Sequence, residues 1–229
     1  MINAVILSAG RGVRFDRERP KQLVEICGKP LFMHALDLYR ELPGVDRVVL
    51  VVNPDTVTAV ARILGERSCD DVSVVTGGAT RQQSIGNALR WLAENGLVDD
   101  DLVVLHNGAS PNTPPELVRR CLAAAGGADV VQAYAPALFT TFEIDGANMG
   151  AVLPRENLGY SCDPTVYRAR ALRRALEWQA ARGLGGDSTI DAVRAQGVRV
   201  ALVRSPYTNI KVTTPWELEA VRGTMANDE

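Results

Sequence analysis

The chain is short of the signatures that assign a protein at a glance. Its four cysteines, Cys27, Cys69, Cys121 and Cys162, form no Cys-x-x-Cys pair. Zinc ribbons and thioredoxin-like redox centres are therefore excluded, and the thiols are read as packed side chains in a reducing compartment. Excess charge of one sign is missing too. Against 27 Asp and Glu stand 25 Lys and Arg, a net charge of −2, so nothing marks a nucleic-acid partner. Long hydrophobic runs are absent. The apolar start, Ala4 to Ala9, is too short for a membrane span or a secretory segment and lacks a basic leader. The expectation is a cytoplasmic protein with no membrane partner. There is no low-complexity linker and no internal repeat, so residues 1–229, 46% hydrophobic, are expected to form one domain with enough apolar material for a sizeable core.

What is present is a rhythm. Apolar runs of strand length recur at 4–9, 47–53, 72–76, 102–106, 129–135 and 198–204. They are nearly continuous in Val, Ile and Leu, as in strands buried on both faces of a parallel sheet. Helical spacing falls between them. Ile85, Ala88, Leu89 and Leu92 share one face, as do Leu117, Val118, Cys121 and Leu122. "TPPE" (113–116) and "TPWE" (214–217) read as capping boxes with Pro at the first helical position. The fold predicted is α/β, a doubly wound, mostly parallel sheet of Rossmann-like type.

Residues 136–159 break the rhythm. Two strand-capable stretches, 138–144 and 149–153, flank the turn signal "DGAN". The prediction is a projecting hairpin whose apolar residues, Leu138, Phe139, Phe142 and Ile144, find a partner. Two readings stay open, a hairpin folded back on its own sheet and an arm that swaps into a second subunit.

Three polar constellations follow strand ends, where open α/β sheets collect ligands, and a fourth lies in a β-like stretch before a capped helix. The first is "LSAGRGVRFDRERPKQL" (7–23). Gly10 and Gly12 allow backbone N–H groups to approach a phosphate, and Arg14 and Lys21 add positive charge. It is not a dinucleotide fingerprint, because Phe15 stands where a third Gly would be needed, and no Walker A loop exists. The second is "TGGATRQQSI" (76–85), with Gly77, Gly78 and Ser84 suited to reading a flat polar ligand. The third is "LHNGASP" (105–111), in which His106 reads as a satisfied structural histidine. The fourth is "TNIKVTTPWELEA" (208–220), which carries Lys211. Glycine-rich or polar loops at strand ends, with separate cations, predict a shared phosphate pocket.

Taken in order, "LSAGRGVRF…RPKQLVEICGKPLFMHAL", "GGATRQQS", "LVVLHNGASP" and "NIKVTTPWELEA" resemble the 2-C-methyl-D-erythritol 4-phosphate cytidylyltransferase family over nearly the whole chain. The resemblance implies transfer of CMP from CTP to a phosphorylated polyol, Mg²⁺ as cofactor, and a homodimer joined through the β-arm. It also implies roles. Ser8, Ala9, Gly10 and Gly12 would lie along the nucleotide, with Asn107 beside it. Arg14 and Lys21 would hold the triphosphate, and Gly78 and Ser84 would contact cytosine. Lys211 would face the α-phosphate and the acceptor. Thr140 and Arg155 would hold the acceptor phosphate, one of them reaching from the partner subunit. The metal ligands are not indicated.

The departures from the family pattern cluster at the acceptor. Where the family reads HDAARP the chain reads "HNGASP", with Asn107 for an Asp and Ser110 for an Arg. Leu138 and Phe139 replace the Arg and Asp of a VRDT-like arm, and "DPT" (163–165) replaces a TPQ-like segment, which places Asp163 at the acceptor. Loss of polar groups that would pair with substrate hydroxyls predicts an altered acceptor, another polyol phosphate or a phosphonate. Two alternatives remain: an authentic methylerythritol phosphate enzyme and a non-catalytic nucleotide-binding paralogue.

Overall fold

A computed structural model describes residues 1–10, 12, 15, 20–183 and 188–225. The strands are β1 (Ile2–Ser8), β2 (Glu25–Ile26), β3 (Lys29–Pro30), β4 (Arg47–Val52), β5 (Val72–Thr76), β6 (Leu102–Asn107), β7 (Val130–Pro136), β8 (Thr141–Asp145), β9 (Asn148–Leu153), β10 (Gly159–Arg168) and β11 (Val200–Arg204). The helices are α1 (Leu31–Glu41), α2 (Val57–Glu66), α3 (Arg81–Glu94), α4 (Pro115–Ala124), α5 (Ala169–Ala181), α6 (Thr189–Ala195) and α7 (Pro215–Met225). Seven strands form the main sheet in the order β11-β7-β10-β6-β1-β4-β5. β10 runs antiparallel to both neighbours, and the other pairings are parallel.

The continuous apolar runs are explained by two cores, one on each face. Ala4 and Ile6 of β1 join Val48, Leu50 and Val52 of β4 against α1, α2 and α4. The alternate residues, Val5 and Leu7 with Val49 and Val51, pack with Ile85, Ala88 and Leu92 of α3 and with α5 and α6. Each successive side chain thus finds an apolar layer, and the alternation of a half-exposed strand disappears. The edge strands betray themselves by exposed residues, Val74 on β5 and Leu202 on β11.

Of the two predicted capping boxes, one forms in part, through the reach-back bond of its glutamate. Glu217 Oε2 accepts from the Thr214 backbone N–H at 2.6 Å at the start of α7. At "TPPE" the hydroxyl of Thr113 instead donates to Asn209 Oδ1 at 2.7 Å, and α4 begins only at Pro115. A long-range hydrogen bond has won over the local cap. Among the described residues no helix is long and apolar enough to cross a membrane.

β8 and β9 make a two-stranded sheet separate from the main one, turning at Gly146 with φ +58°. The first strand starts at Thr141, later than the predicted 138. Phe139, Ile144 and Met149 are 75%, 80% and 64% exposed, so the hairpin is not folded back on its own sheet.

One buried polar contact ties α1 to the end of β6. The Tyr39 hydroxyl meets His106 Nδ1 at 3.0 Å, and His106 Nε2 donates to the Ser110 carbonyl at 3.0 Å. His106 is fully buried with both nitrogens engaged. Tyr39→Phe keeps the ring and strands the imidazole nitrogen, at a cost of about 1–3 kcal/mol. Urea unfolding should show the midpoint lowered with an unchanged slope; an unchanged midpoint would contradict the assignment.

Candidate active site

The site is built at the carboxyl ends of β1, β5 and β6. β1 ends at Ser8, and the chain turns through Ala9 and Gly10, where Asn53 Nδ2 holds the Ala9 carbonyl at 3.0 Å. Gly12 has φ +67°, which a side chain would strain. Lys21 begins a 3-10 turn (Lys21–Leu23) and is buried. Its Nζ donates to the Val212 carbonyl at 2.7 Å.

After β5, Gly77 donates to the Val52 carbonyl at 2.8 Å, extending the ladder past the strand's end. A Cβ at Gly77 would collide with Ala9, so glycine is what lets the two loops touch. The Ser84 hydroxyl accepts from Gly78 N–H at 3.1 Å and donates to the Thr80 carbonyl at 3.0 Å. It shapes this turn and keeps one lone pair for a ligand. Thr80 caps α3 by accepting from Gln83 N–H at 3.1 Å.

The third wall comes from the far end of the chain. Asn209 Nδ2 donates to the Asp163 carbonyl at 2.6 Å and to Ser205 Oγ at 3.0 Å, and Val212 N–H donates to the Ala109 carbonyl at 2.8 Å. These bonds pin the extended segment after β11 against the loop after β6, with Lys211 exposed between its two anchors.

The loops enclose a cavity of about 880 Å³, a size suited to a small-molecule ligand. Ala9, Gly10, Gly12, Lys21, Gly78, Ser84, Asn107 and Lys211, all expected in the site, line it. Ser8 sits just beneath, 3% exposed, its Oγ without a hydrogen-bond partner among the described residues and close against Gly108. Arg14 lies outside the described residues. Thr140 and Arg155 stand exposed on the arm, where Arg155 Nη1 donates to the Leu138 carbonyl at 3.5 Å, and neither is on the cavity wall of its own chain.

Asp163 is not on the wall either. Pairing of Thr165 with Leu105, continued two residues, brings Asp163 level with Asn107, and the register shift in β10 between Cys162 and Thr165 re-aims that stretch. The carboxylate accepts from Asn107 Nδ2 at 2.8 Å and 2.9 Å, from Asn107 N–H at 3.2 Å and from the Ser110 hydroxyl at 2.5 Å. Three departures from the family pattern, Asn107, Ser110 and Asp163, are therefore one network. The carboxylate missing at 107 has its counterpart at 163. Burial opposes ionisation of Asp163, but nearby His106, the hydrogen bonds from Ser110 and Asn107, and the Lys211 ammonium outweigh it and hold its pKa below the ordinary aspartate value.

Three contributors were missed by sequence reasoning although they stand in quoted motifs. Arg81 lines the cavity and donates from Nη1 to Asn107 Oδ1 at 2.9 Å. Gln22 also lines it, its Oε1 buried without a partner among the described residues. Asn209 is buried as an anchor. The Arg of "GGATRQQS" and the Gln of "RPKQL" were available signals; the burial of Asn209 depends on contacts no local pattern reveals. For Mg²⁺, no group of three His, Cys, Asp or Glu side chains able to hold a metal exists among the described residues. Asp55 is a carboxylate on the wall and Gln22 Oε1 is an unpartnered oxygen. This set fits a cation brought in on phosphate oxygens better than one in a protein cage.

Glycine turns at the ends of parallel strands, with lysines from both ends of the chain facing one cavity, define a nucleotidyltransferase on a Rossmann-like sheet. The model of the family described as 2-C-methyl-D-erythritol 4-phosphate cytidylyltransferase matches residues 2–226. The chain belongs to that family of cytidylyltransferases. It is 34% identical over 212 residues to the 2-C-methyl-D-erythritol 4-phosphate cytidylyltransferase of Cereibacter sphaeroides, covering 93% of this chain and 91% of the relative. It is 32% identical to that of Neisseria meningitidis over 96% and 95% of the two chains. Among solved structures, one described as 4-diphosphocytidyl-2C-methyl-D-erythritol synthase superposes with a TM-score of 0.82 at 27% identity, over 98% of each chain. The 2-C-methyl-D-erythritol 4-phosphate cytidylyltransferase of Thermus thermophilus superposes at 0.77 with 25% identity, over 97% of this chain and 98% of that one.

The depressed pKa of Asp163 has a sign. A carboxylate more acidic folded than unfolded stabilises the fold above its unfolded pKa, about 3.9. That contribution is lost as pH falls through the lower folded pKa. Asp163→Asn should therefore flatten the acid limb of the stability profile below about pH 4. Denaturant midpoints measured from about pH 2 to 7, the range of acid unfolding, check this; parallel profiles for the two proteins would refute it.

Proposed function

We propose that this chain transfers the cytidylyl group of CTP to the phosphate of 2-C-methyl-D-erythritol 4-phosphate and releases pyrophosphate. The observation carrying the reading is the single cavity into which Gly78, Lys21 and Lys211 converge, in a chain that matches the family from end to end. The relatives' names favour this acceptor. Nothing in them favours a phosphonate or another polyol phosphate, the acceptor first expected from the departures at 107, 110, 138 and 139.

In this reading cytosine lies against Gly78 and the first turn of α3. The triphosphate follows Ser8, Ala9, Gly10 and Gly12, with Arg14 assigned on resemblance alone. An ionised oxygen of the acceptor phosphate attacks the α-phosphorus in line. A new P–O bond forms, the bond from the α-phosphorus to the bridging oxygen breaks, and the electron pair leaves on pyrophosphate. The nucleophile is already an anion, so no general base is needed. The barrier lies in bringing two anions together and in charge gathering on the α-phosphoryl oxygens. Fixed cations and positioning answer both. Lys211, exposed at the rim, faces attacking and α-phosphates; Lys21, held by Val212, stays fixed beneath the triphosphate. Mg²⁺ bound to the phosphates near Asp55 and Gln22 would supply further neutralisation.

The acceptor phosphate is completed from a second copy. Thr140 and Arg155 lie on the arm, away from their own cavity, beside Phe139, Ile144 and Met149. We infer a homodimer in which the arms are exchanged, which covers this apolar surface and brings those side chains to the neighbour's site.

With CTP, Mg²⁺ and 2-C-methyl-D-erythritol 4-phosphate, pyrophosphate release should exceed that with other polyol phosphates and with phosphonates by about tenfold or more. A phosphonate turned over faster would overturn the acceptor; CTP binding with no turnover on any of them would overturn the activity. Lys211→Ala should lower kcat/KM by about 10²–10³ with the melting temperature near wild type. Ile144→Asp should convert dimer to monomer in light scattering and remove activity together with it. A monomeric wild type with full activity would sink the exchanged arm.

A further inference from the structure

Asp163 is not on the cavity wall, yet it is a buried carboxylate that accepts hydrogen bonds from Asn107, which is on that wall. We propose that Asp163 is a positioning residue that fixes the side-chain amide of Asn107, and through it Arg81, so that Arg81 meets a neutral oxygen and keeps its charge for an anion in the cavity.

An ionised carboxylate only accepts. Both Asp163 oxygens take Asn107 Nδ2, and Oδ1 also takes the Asn107 backbone N–H. The amide nitrogen must therefore face Asp163. Its oxygen must face the other way, where Arg81 Nη1 donates at 2.9 Å. Reversing the amide would set oxygen against carboxylate and NH₂ against guanidinium, two contacts of like polarity. Ser110 also donates to Oδ2, so the lock is buried, while the amide oxygen it orients is held by Arg81, and both Asn107 and Arg81 line the cavity.

The consequence is electrostatic. Arg81 is the first residue of α3, and Asn107 is the last of β6. Their bond spans the floor between the loop assigned to the base and the side assigned to the acceptor. A carboxylate at position 107 would touch the guanidinium and neutralise it. Here the negative charge sits one side chain further off, and Coulomb attraction weakens with that distance. Arg81 is held in place, retains donors for a ligand, and offers a net positive charge to phosphate. The departure at position 107, read first as a lost charge, becomes a charge withdrawn beneath the wall.

The claim rests on the proposed transfer only for the identity of the anion. The test uses the full-length chain, Asp163→Asn, and the exchange Asn107→Asp with Asp163→Asn. Inorganic triphosphate, which needs neither base nor acceptor, is titrated beside CTP by calorimetry. The Asn107 side-chain NH₂, identified in NMR spectra by its loss in Asn107→Asp, reports its own protection from solvent exchange. Asp163→Asn should lose that protection and weaken triphosphate and CTP binding about tenfold, the scale of one misplaced charge-assisted hydrogen bond. In turnover the loss should fall on KM with kcat little changed. The exchange keeps one carboxylate and one amide in contact, so it should regain the wild-type melting temperature while the weakened binding persists, because Arg81 now faces a carboxylate. It also carries the test should Asp163→Asn fail to fold. Full recovery of both stability and affinity by the exchange would make Asp163 merely structural and overturn the proposal. So would unchanged amide protection in Asp163→Asn. Wild-type binding of triphosphate without turnover of CTP would sink the transfer reading and leave the positioning claim to be decided by the same variants; wild type binding neither anion would overturn both.

Discussion

The Lys21 ammonium on the Val212 carbonyl joins two parts of the chain that are 191 residues apart. The site depends on that closure. The loop after β1 carries the glycines, and the segment after β11 carries Lys211; neither makes a pocket alone. Asn209 fastens the same segment to the Asp163 carbonyl, and Val212 fastens it to Ala109. A buried lysine on a backbone carbonyl is a charged group taken from water, and its burial is compensated where an anionic ligand arrives beside it. The fold thus stores positive charge at the mouth of the sheet and is completed electrostatically by a phosphate-rich substrate.

The sheet makes this placement stiff. Because β1, β4 and β6 are covered on both faces, their carboxyl ends cannot shift without disturbing two cores at once. His106 is anchored from α1 by Tyr39 and from the following loop by Ser110, so Asn107, the next residue, inherits a fixed backbone. Positioning of this kind is what a reaction between two anions requires, since little covalent chemistry is left for the protein to perform. The arm follows a different rule. It carries exposed apolar area away from the sheet, and its residues belong functionally to a neighbouring copy in the proposed dimer.

Much of this was legible in the residues. Continuous Val, Ile and Leu runs marked the doubly covered strands, and "DGAN" marked the turn of the arm. The glycine pairs were found because each follows a strand end, where the topology collects ligands, whereas the roles of Lys21 and Lys211 came from the resemblance of their motifs to the family. Other features were not legible, for physical reasons. Thr113 looked like a helix cap, but Asn209, 96 positions away, competes for its hydroxyl. Asn107 and Asp163 looked like separate departures from a family pattern; only the register between β10 and β6 makes them partners. Arg81 was visible in its motif but silent, because its role is defined by what it touches across the cavity floor.

The central claim is that loops distant in sequence hold a nucleoside triphosphate between backbone amides and fixed cations. A crystal structure with CTP and Mg²⁺ tests it most directly. The account predicts phosphate oxygens within hydrogen-bond reach of Lys21 and Lys211, with the base against Gly78. A nucleotide bound elsewhere, or one whose phosphates turn away from both lysines, would contradict it.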